Sequence, residues 1–266
     1  MTQHVALVTG ANHGIGAAIA ERLAADGLAV VITYLSLDEP ADEGTPGRLR
    51  ENHRSDASAV LARIAAAGGR AIAVSADLLD ASVIPGLFDA AEEAFGPVDV
   101  LVNNATASLQ DTFRARDRDW AGRALTPVTA ETFDRQFGVD ARAGVLLLAE
   151  FADRLQARGG DWGRILSMTS GGEQGFPGEV SYGAAKAAIV NYTMSASLEL
   201  SRFGVTANAL HPPVTDTGWV TDEVRGFVAE DDRFFSVAEP DEVADVVSFL
   251  VSDAGRRVTG NVIRMG

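Results

Sequence analysis

The stretch that decides the fold is Val5-Ala6-Leu7-Val8-Thr9-Gly10-Ala11-Asn12-His13-Gly14-Ile15-Gly16, near the start of a chain of 266 residues. Its first four residues are apolar and predict a buried strand, and the pattern after Gly14 predicts a helix. Glycines at such a junction allow a sharp turn and a close approach of the backbone to a ligand. The free N–H groups at the start of the helix can then hold a pyrophosphate. The stretch therefore predicts a dinucleotide site, because three glycines only weaken a turn that holds no ligand.

The same alternation of strands and helices continues along the chain. Further strands are predicted at 28–32, 71–74, 98–102, 164–168, 205–210 and 261–264, and the helices after the first one at 57–67, 83–95, 130–157, 180–202 and 241–251. Strands separated by helices favour parallel pairing through crossover connections. We therefore expect an α/β fold with one doubly wound, seven-stranded parallel sheet flanked by helices on both faces, and a single domain over residues 1–266.

Two polar segments interrupt this pattern. Residues 37–56 carry Pro40, Gly44 and Pro46 among mixed charges, and we interpret them as a long surface loop. Residues 107–127 form a second irregular insertion, rich in Asp and Arg. Its alternating charges are typical of a solvated loop rather than of a nucleic-acid patch.

Composition excludes several classes of function. The chain has no cysteine, and its four histidines are scattered, so we predict neither a disulfide framework nor a metal site. A formal net charge of −15 disfavours nucleic-acid and anionic-membrane partners. No apolar run approaches the roughly 18 residues of a membrane span, and the N-terminus lacks the basic region of a signal peptide. We expect a cytoplasmic protein whose partner is a small molecule.

The predicted helix at 180–202 carries a pair of side chains with catalytic chemistry. Tyr182 and Lys186 are four residues apart, which places them on one face with their Cβ atoms about 5–6 Å apart. A free tyrosine titrates near about pH 10, and a neighbouring positive charge lowers that pKa. Such a pair can exchange a proton with a substrate oxygen, as a carbonyl reductase or alcohol dehydrogenase requires. The spacing alone arises often by chance, so the interpretation depends on the rest of the chain.

With these residues the chain resembles the short-chain dehydrogenase/reductase family over almost its full length. The glycine turn matches the cofactor turn of that family, and Asp77-Leu78 match its adenine-contacting pair. Asn103-Asn104-Ala105-Thr106 resembles its Asn-Asn-Ala-Gly motif, and the segment from Pro212 to Thr217 resembles the one that holds the nicotinamide. The resemblance implies a Rossmann-type fold and an NAD(P)-dependent oxidoreductase, such as a ketoreductase, that transfers a hydride between nicotinamide and a carbonyl or secondary alcohol. The cofactor-binding residues that it implies are Gly10, Asn12, His13, Gly14, Ile15, Gly16, Tyr34, Asp77, Leu78, Asn103, Asn104, Ala105, Tyr182, Lys186, Val214, Thr215 and Thr217.

The same resemblance implies roles for the catalytic residues. Tyr182 would be the general acid for reduction and the base for oxidation, and Lys186 would lower its pKa and hold the nicotinamide ribose. The serine of the family stands about thirteen residues before the tyrosine. Ser170 stands twelve before Tyr182 and Thr169 thirteen. The register at the end of the strand favours Ser170 as the residue that binds the substrate oxygen, and Thr169 is the alternative.

Three positions depart from the family pattern. Asp140 stands where the family has an asparagine, and its charge would oppose the effect of Lys186 on Tyr182. Thr106 and Pro213 replace glycines near the expected nicotinamide pocket. These departures favour the alternative function, an NAD(P)-binding sensor, scaffold or inactive partner with little or no redox turnover.

The cofactor and the assembly follow from the same resemblance. The second strand ends without a carboxylate, so NADP(H) is favoured over NAD(H). His13 occupies a place where relatives often carry arginine, and Arg48, Arg50 or Arg54 could reach in from the 37–56 insertion. A substrate lid is expected at about 217–237, with Trp219 at its start. The helices at 130–157 and 180–202 resemble those of a family interface, which implies a homodimer or homotetramer.

Overall fold

The computed structural model describes residues 4–38, 44–171, 175–232 and 234–266. The strands within these ranges are β1 Val5–Val8, β2 Ala29–Tyr34, β3 Arg70–Ser75, β4 Val100–Asn103, β5 Asp111–Thr112, β6 Thr126–Pro127, β7 Gly163–Met168, β8 Val205–His211 and β9 Val262–Arg264. Seven of them form one parallel sheet in the order β3-β2-β1-β4-β7-β8-β9, while β5 and β6 pair separately. The predicted α/β class and seven-stranded parallel sheet are therefore confirmed.

Helices cover both faces of this sheet. They are α1 Gly14–Ala25, α2 Gly47–Arg54, α3 Ser58–Ala66, α4 Ile84–Ala94, α5 Ala130–Phe137, α6 Gly144–Ala157, α7 Val180–Glu199, α8 Asp222–Glu230 and α9 Pro240–Val251. Ala6 and Val8 of β1 pack in a core with α1, α3 and α9. Val5 and Leu7 pack in a second core with α4, α6 and α7. Because β1 is buried on both faces, its sequence is a continuous apolar run rather than an alternating one.

The interpretation of residues 37–56 as a loop is wrong in part, because α2 occupies its second half. Pro46 precedes this helix in an extended conformation, and none of the residues of α2 is buried. A short helix that is polar all round shows no apolar periodicity in its sequence. Pro40 lies outside the described residues, whereas Gly44 packs against Gly122 of the second insertion. The described residues of this segment are at the surface, as predicted, and they contact other parts of the chain.

The chain is helical over the predicted residues 130–157, but the helix changes type in its middle. A capping box between Thr129 and Thr132 starts α5, as the sequence indicates for a threonine at this position. A π-helical turn at Gly138–Ala143 then separates α5 from α6. Such turns occur often at functional sites, and this one contains Asp140.

The expected lid also contains a helix that the sequence pattern did not reveal. Thr221 caps α8 by accepting a hydrogen bond from Val224. A backbone bridge between Thr215 and Ala238 joins the two ends of the lid. Among the residues that the structure describes, no helix has both the length and the apolar content needed to cross a bilayer.

The parallel sheet determines where the site lies. All seven strands point the same way, so their carboxyl ends share one edge, and the chain reverses its winding direction between β1 and β4. Crevices at such a point are where open α/β sheets bind ligands. The glycine turn, the Asn103-Asn104 motif and Ser170 all follow strands at this edge.

Candidate active site

The turn after β1 requires glycine at two positions in particular. Gly14 has a φ of +56°, and a Cβ on it would lie 3.0 Å from the side chain of Thr217. A Cβ on Gly16 would lie 2.3 Å from the carbonyl oxygen of Gly10. The turn therefore leaves an open cradle of backbone at the start of α1, opposite the beginning of the lid.

The end of β4 holds this cradle in shape. Asn104 Nδ2 donates to the carbonyl oxygens of Thr9 and Gly10, both at 2.9 Å. Thr9 Oγ1 accepts from the backbone N–H groups of Asn104 and Ala105 at 2.9 and 3.0 Å. The side chain of Asn104 thus stabilises the glycine turn. Asn103 Nδ2 instead donates to the Gly144 carbonyl at the start of α6.

His13 stands at the N-cap of α1 and makes no side-chain capping bond. Burial lowers the pKa of its imidazole to about 4, and the nearby His53 of α2 contributes in the same direction. The two ring centroids are 5.5 Å apart. His13 Nδ1 is buried and has no hydrogen-bond partner among the described residues. A buried nitrogen without a partner costs free energy unless a ligand or water satisfies it, so the cradle is polar and incomplete on its own.

The first insertion lies across the cradle and reaches the lid. Asn12 Nδ2 donates to the Ser55 carbonyl at 2.8 Å, just after α2. On the other side, Asn52 of α2 donates to the Thr217 carbonyl at 3.0 Å. The α2 segment therefore connects the glycine turn to the beginning of the lid, which places its basic side chains near the predicted cofactor.

The other predicted cofactor residues lie along the same edge. Tyr34 ends β2 half-buried, and the carboxylate of Asp77 accepts from the Leu79 N–H at 2.9 Å. Leu78 is buried and lines a small cavity whose other walls include Asn103 and Lys186.

Within the segment after β8, Thr215 Oγ1 donates to the Pro213 carbonyl at 2.9 Å, while Val214 and Thr217 are half-buried. The structure brings these residues to one edge, and their contacts with a cofactor stay a prediction.

Tyr182 lies in the first turn of α7, and the nearby Ser170 side chain lowers the pKa of its phenol. Thr169, the alternative, is turned away, since its Oγ1 donates to the Lys186 carbonyl at 3.2 Å. Phe176 packs against Tyr182 with ring centroids 5.8 Å apart. Gly172, Glu173 and Gln174, which belong to the loop between Ser170 and Tyr182, lie outside the described residues. The geometry therefore favours Ser170 over Thr169 as the partner of Tyr182.

Lys186 forms a buried ion pair with Asp140. The Lys186 Nζ to Asp140 Oδ1 distance is 2.9 Å, and the two side chains are 5% and 0% exposed. The other carboxylate oxygen, Oδ2, accepts from Gln136 Nε2 at 2.6 Å and from the Ala107 N–H at 3.0 Å. Gln136 is fully buried and was not identified from the sequence. Its only signal there is its position four residues before Asp140, which places both on one face of a helix.

The charges around the pair favour a phenol and an ammonium. Burial raises the pKa of the Tyr182 phenol; Lys186 and the hydrogen bond with Ser170 lower it, while Asp140 raises it, and the net direction is upward. Burial lowers the pKa of the Lys186 ammonium, but Asp140 and Tyr182 raise it, and the net direction is again upward. At neutral pH the site therefore holds a protonated tyrosine beside a charged lysine, which is an arrangement that can donate a proton.

The second insertion contacts both the residue before α7 and the lid. Arg123 forms ion pairs with Asp119 at 2.7 Å and with Glu179 at 2.5 Å, directly before α7. Trp120 of the insertion packs against Phe227 of α8, with ring centroids 4.9 Å apart. Within the described ranges, no three His, Asp or Glu side chains cluster in a way that could hold a metal ion. Tyr182, Lys186 and Ser170 are the side chains at this site that can exchange a proton or a hydrogen bond with a ligand.

Comparisons with known proteins extend over almost the whole chain. The family model described as Enoyl-(Acyl carrier protein) reductase matches residues 10–265. The chain is 32% identical over 265 residues to an uncharacterized oxidoreductase, YjdA, of Bacillus subtilis (strain 168), covering 98% of this chain and 94% of that protein. It is 34% identical to a 3-oxoacyl-[acyl-carrier-protein] reductase of Synechocystis, covering 100% and 96%. A short chain dehydrogenase from Burkholderia cenocepacia J2315, solved in complex with NADP, has a TM-score of 0.80 and 32% identity, covering 99% and 97%.

Proposed function

Because the chain belongs to the short-chain dehydrogenase/reductase family of oxidoreductases, we propose that it transfers a hydride between NADP(H) and a small carbonyl compound or secondary alcohol. The observation that carries this proposal is the set of contacts around Tyr182. The Ser170 side chain is close enough to the phenol to lower its pKa, and the Lys186 Nζ lies 5.4 Å from the centroid of its ring. A protein that only binds a dinucleotide has no need of this constellation.

Three observations support NADP(H) as the cofactor. The glycine cradle at the start of α1 fits a pyrophosphate, and the unpartnered His13 Nδ1 adds a polar group beside it. The end of β2 carries no carboxylate to repel a 2′-phosphate. Ser36, just after β2, donates to the carbonyl of Ser55, just after the basic helix α2. The Burkholderia relative was solved with NADP. The residues that would hold the cofactor are Gly10–Gly16 at the phosphates and Lys186 with the segment 214–217 at the nicotinamide end.

Bound NADPH supplies the hydride, and the side chains of this chain handle the proton. Ser170 donates a hydrogen bond to the substrate oxygen and stabilises the negative charge that develops there. Tyr182 gives its proton to that oxygen during reduction and takes one back during oxidation. Lys186 stabilises the phenolate that Tyr182 becomes.

Asp140 modifies this scheme. Its carboxylate neutralises Lys186 at 2.9 Å, so the phenolate of Tyr182 receives less stabilisation than a lone ammonium would give. The raised pKa of Tyr182 is consistent with this effect. We infer that Tyr182 is a weaker acid than it would be beside an unpaired lysine, and that the activity optimum lies at higher pH.

The test is a turnover assay on the native protein with a broad panel of carbonyl compounds, using both NADPH and NADH and following the nicotinamide absorbance. Tyr182→Phe is expected to reduce kcat by roughly 10²–10⁴-fold, because it removes the proton donor. Tyr192→Phe is the matched control, since Tyr192 lies on the same helix and is 44% exposed. The control is expected to keep native kcat.

The second candidate is an NADP(H)-binding protein without redox turnover. The observation that favours it is the Lys186–Asp140 ion pair, which reduces the help that Lys186 can give to Tyr182. Thr106 and Pro213, which replace glycines of the family pattern, point the same way. Cofactor binding with no NADPH or NADH consumption across the panel, unchanged by Tyr182→Phe, would establish this candidate and reject the first.

We further propose that the whole chain is one oxidoreductase domain, with the insertions at about 37–56 and 107–127 and the lid at about 217–237 forming the cover. A homodimer or homotetramer is proposed from the family resemblance and from exposed apolar side chains on α6 and α7. Leu146 is 37% exposed and Leu198 is 78% exposed. Light scattering on the purified protein checks the mass, and Leu198→Lys is expected to weaken the assembly if this face is the interface.

A further inference from the structure

Helix α7, which carries Tyr182 and Lys186, begins without a capping side chain of its own. Its N-cap residue, Glu179, makes no capping hydrogen bond, and its carboxylate pairs with Arg123 instead. The first backbone N–H groups of any helix have no partner within the helix. The start of α7 therefore depends on another part of the chain for its hydrogen bonds.

Asp111 of the second insertion, 70 residues earlier in the sequence, accepts a hydrogen bond from one of these N–H groups, that of Ser181. Its Oδ1 accepts from the Ser181 N–H at 2.8 Å, and its Oδ2 accepts from the Ser181 hydroxyl in a short hydrogen bond. Asp111 is fully buried, so its carboxylate depends on these donors. A negative charge at this end of α7 is also favoured by the helix dipole.

The segment that ends at Asp111 is fixed to the other half of the catalytic pair as well. The Ala107 N–H donates to Asp140, the partner of Lys186, and the Leu109 N–H donates to Gln136 Oε1 at 2.9 Å. Every second residue of this segment thus makes one contact with the site: residue 107 with Asp140, residue 109 with Gln136 and residue 111 with Ser181. The segment spans from the environment of Lys186 to the residue that precedes Tyr182.

We propose that Asp111 is a positioning residue, which holds the Tyr182 hydroxyl against Ser170 by fixing the first turn of α7 through Ser181. Asp111 does not itself contact the phenol; it acts through the residue next to it in the chain. The proposal rests on the proposed function, since the position of Tyr182 matters to turnover only if Tyr182 is the proton donor. It also gives the second insertion a role besides its contact with the lid.

The principal variant is Asp111→Ala, assayed as full-length protein with NADPH and the best carbonyl substrate of the panel. We expect kcat to fall roughly 10–100-fold with the KM for NADPH unchanged, because a small displacement of a catalytic group has effects of this size. The kinetic isotope effect with NADPH deuterated at the nicotinamide carbon should rise, since the chemical step becomes slower relative to product release. A purely structural role would only reduce the fraction of active protein and would leave the isotope effect and the pH profile unchanged.

Further variants identify the route of the effect. Asp111→Asn should restore most of the activity, because its amide oxygen can still accept from the Ser181 N–H. Ser181→Ala should lower kcat about threefold on its own, as expected for one lost hydrogen bond, and should cause no further loss in the Asp111→Ala background. Asp117→Ala is the matched control, an exposed carboxylate of the same insertion, and should be silent. If Asp111→Ala does not fold, Ser181→Ala with a raised isotope effect supports the proposal, and native behaviour of Ser181→Ala overturns it.

Native kcat in Asp111→Ala, an unchanged isotope effect, or additive losses in the double variant would each overturn the proposal. Failure of the proposed function gives a different result, because the native protein then shows no turnover that depends on Tyr182. In that case, amide hydrogen exchange in the first turn of α7 tests whether Asp111 fixes this turn. Exchange at Ser181 and Tyr182 that is at least about tenfold faster in Asp111→Ala supports the fixing of α7, and equal exchange overturns it.

Discussion

The two ends of the site differ in where their charged side chains lie: buried at one end and exposed at the other. At the proposed proton-transfer end, Lys186 and Asp140 form an ion pair with side chains 5% and 0% exposed. At the proposed phosphate end, burial keeps the pKa of His13 at about 4, and the cations of α2 are exposed. The Arg48 side chain is 67% accessible even though it lies 3.8 Å from Asp216. Removing one partner of a buried ion pair lowers the free energy of unfolding strongly, whereas removing an exposed charge changes it little. Substitutions at the first end should therefore affect catalysis and stability together, and those at the second should mainly tune cofactor choice.

The largest effect is expected from Lys186→Met. It leaves Asp140 as an uncompensated buried charge, which should lower the free energy of unfolding by about 3–5 kcal/mol and abolish detectable turnover. Denaturant titration and the NADPH assay measure the two losses. Lys186→Met/Asp140→Asn should regain stability without regaining activity. If the double variant is no more stable than Lys186→Met, the unpaired Asp140 charge does not destabilise the protein, and the contrast between the two ends is wrong.

Asp140→Asn tests the same end through its pH dependence. Removing the carboxylate should lower the pKa of Tyr182, because Asp140 raises it in the native protein. Alcohol oxidation needs the phenolate, so its rate rises with pH through that pKa, and this rise should move to lower pH by about one unit. Asp134→Asn, an exposed carboxylate on α5, is the control. A pH–rate profile of Asp140→Asn that overlays the native one would contradict the role given to Asp140.

His13→Arg tests the phosphate end. A guanidinium is charged at all working pH values, whereas the native imidazole is neutral at pH 7 because its pKa is about 4. The ratio of kcat/KM for NADPH to that for NADH should rise about tenfold, or ~1.4 kcal/mol. Steady-state kinetics with both cofactors measure the ratio, and His13→Gln controls for the loss of the imidazole. Equal changes for the two cofactors would show that no 2′-phosphate lies near His13.

The smallest effect is an acid destabilisation by the same residue. The pKa of His13 falls from an unfolded value near 6.5 to about 4, so the unfolded chain binds the extra proton between these limits. Stability therefore declines as the pH falls below about 6.5 and stops declining on this account below about 4. His13→Gln should lose less stability than the native protein, by about 1 kcal/mol at pH 5.5. Parallel urea titrations of both proteins at pH 7.5 and pH 5.5 measure the difference. Equal losses of unfolding free energy in the native protein and in His13→Gln would mean that the His13 imidazole is exposed to solvent.

The sheet and the order of the motifs could be predicted because their signals are local. The apolar run at 5–8, the glycines after it and the pair Tyr182 and Lys186 each carry their pattern within a few residues. Strand register similarly favoured Ser170, which the structure places beside Tyr182. Local patterns of this kind are enough to predict one edge of a parallel sheet as the site.

The features that could not be predicted depend on contacts between distant residues or on helices without an apolar face. Helix α2 buries no residue, so no periodicity marked it within 37–56. Asp111 contacts Ser181 across 70 positions, and nothing near Asp111 in the sequence indicates that contact. The ion pair of Asp140 was anticipated as a nearby charge, but the hydrogen bond from Gln136 was not, because it depends on how the π-helical turn orients α5.

The buried ion pair has one more consequence, which follows from the scarcity of its cation. Lys186 is the single lysine among 22 Lys and Arg residues, so every other cationic side chain of these two types is an arginine. Amine-directed reagents therefore have one side-chain target, and the fold hides it behind Tyr182 and Asp140. Acylation of the Lys186 ε-amino group should therefore require α7 to separate from the π-helical turn, so its rate would measure how often the proposed catalytic site opens.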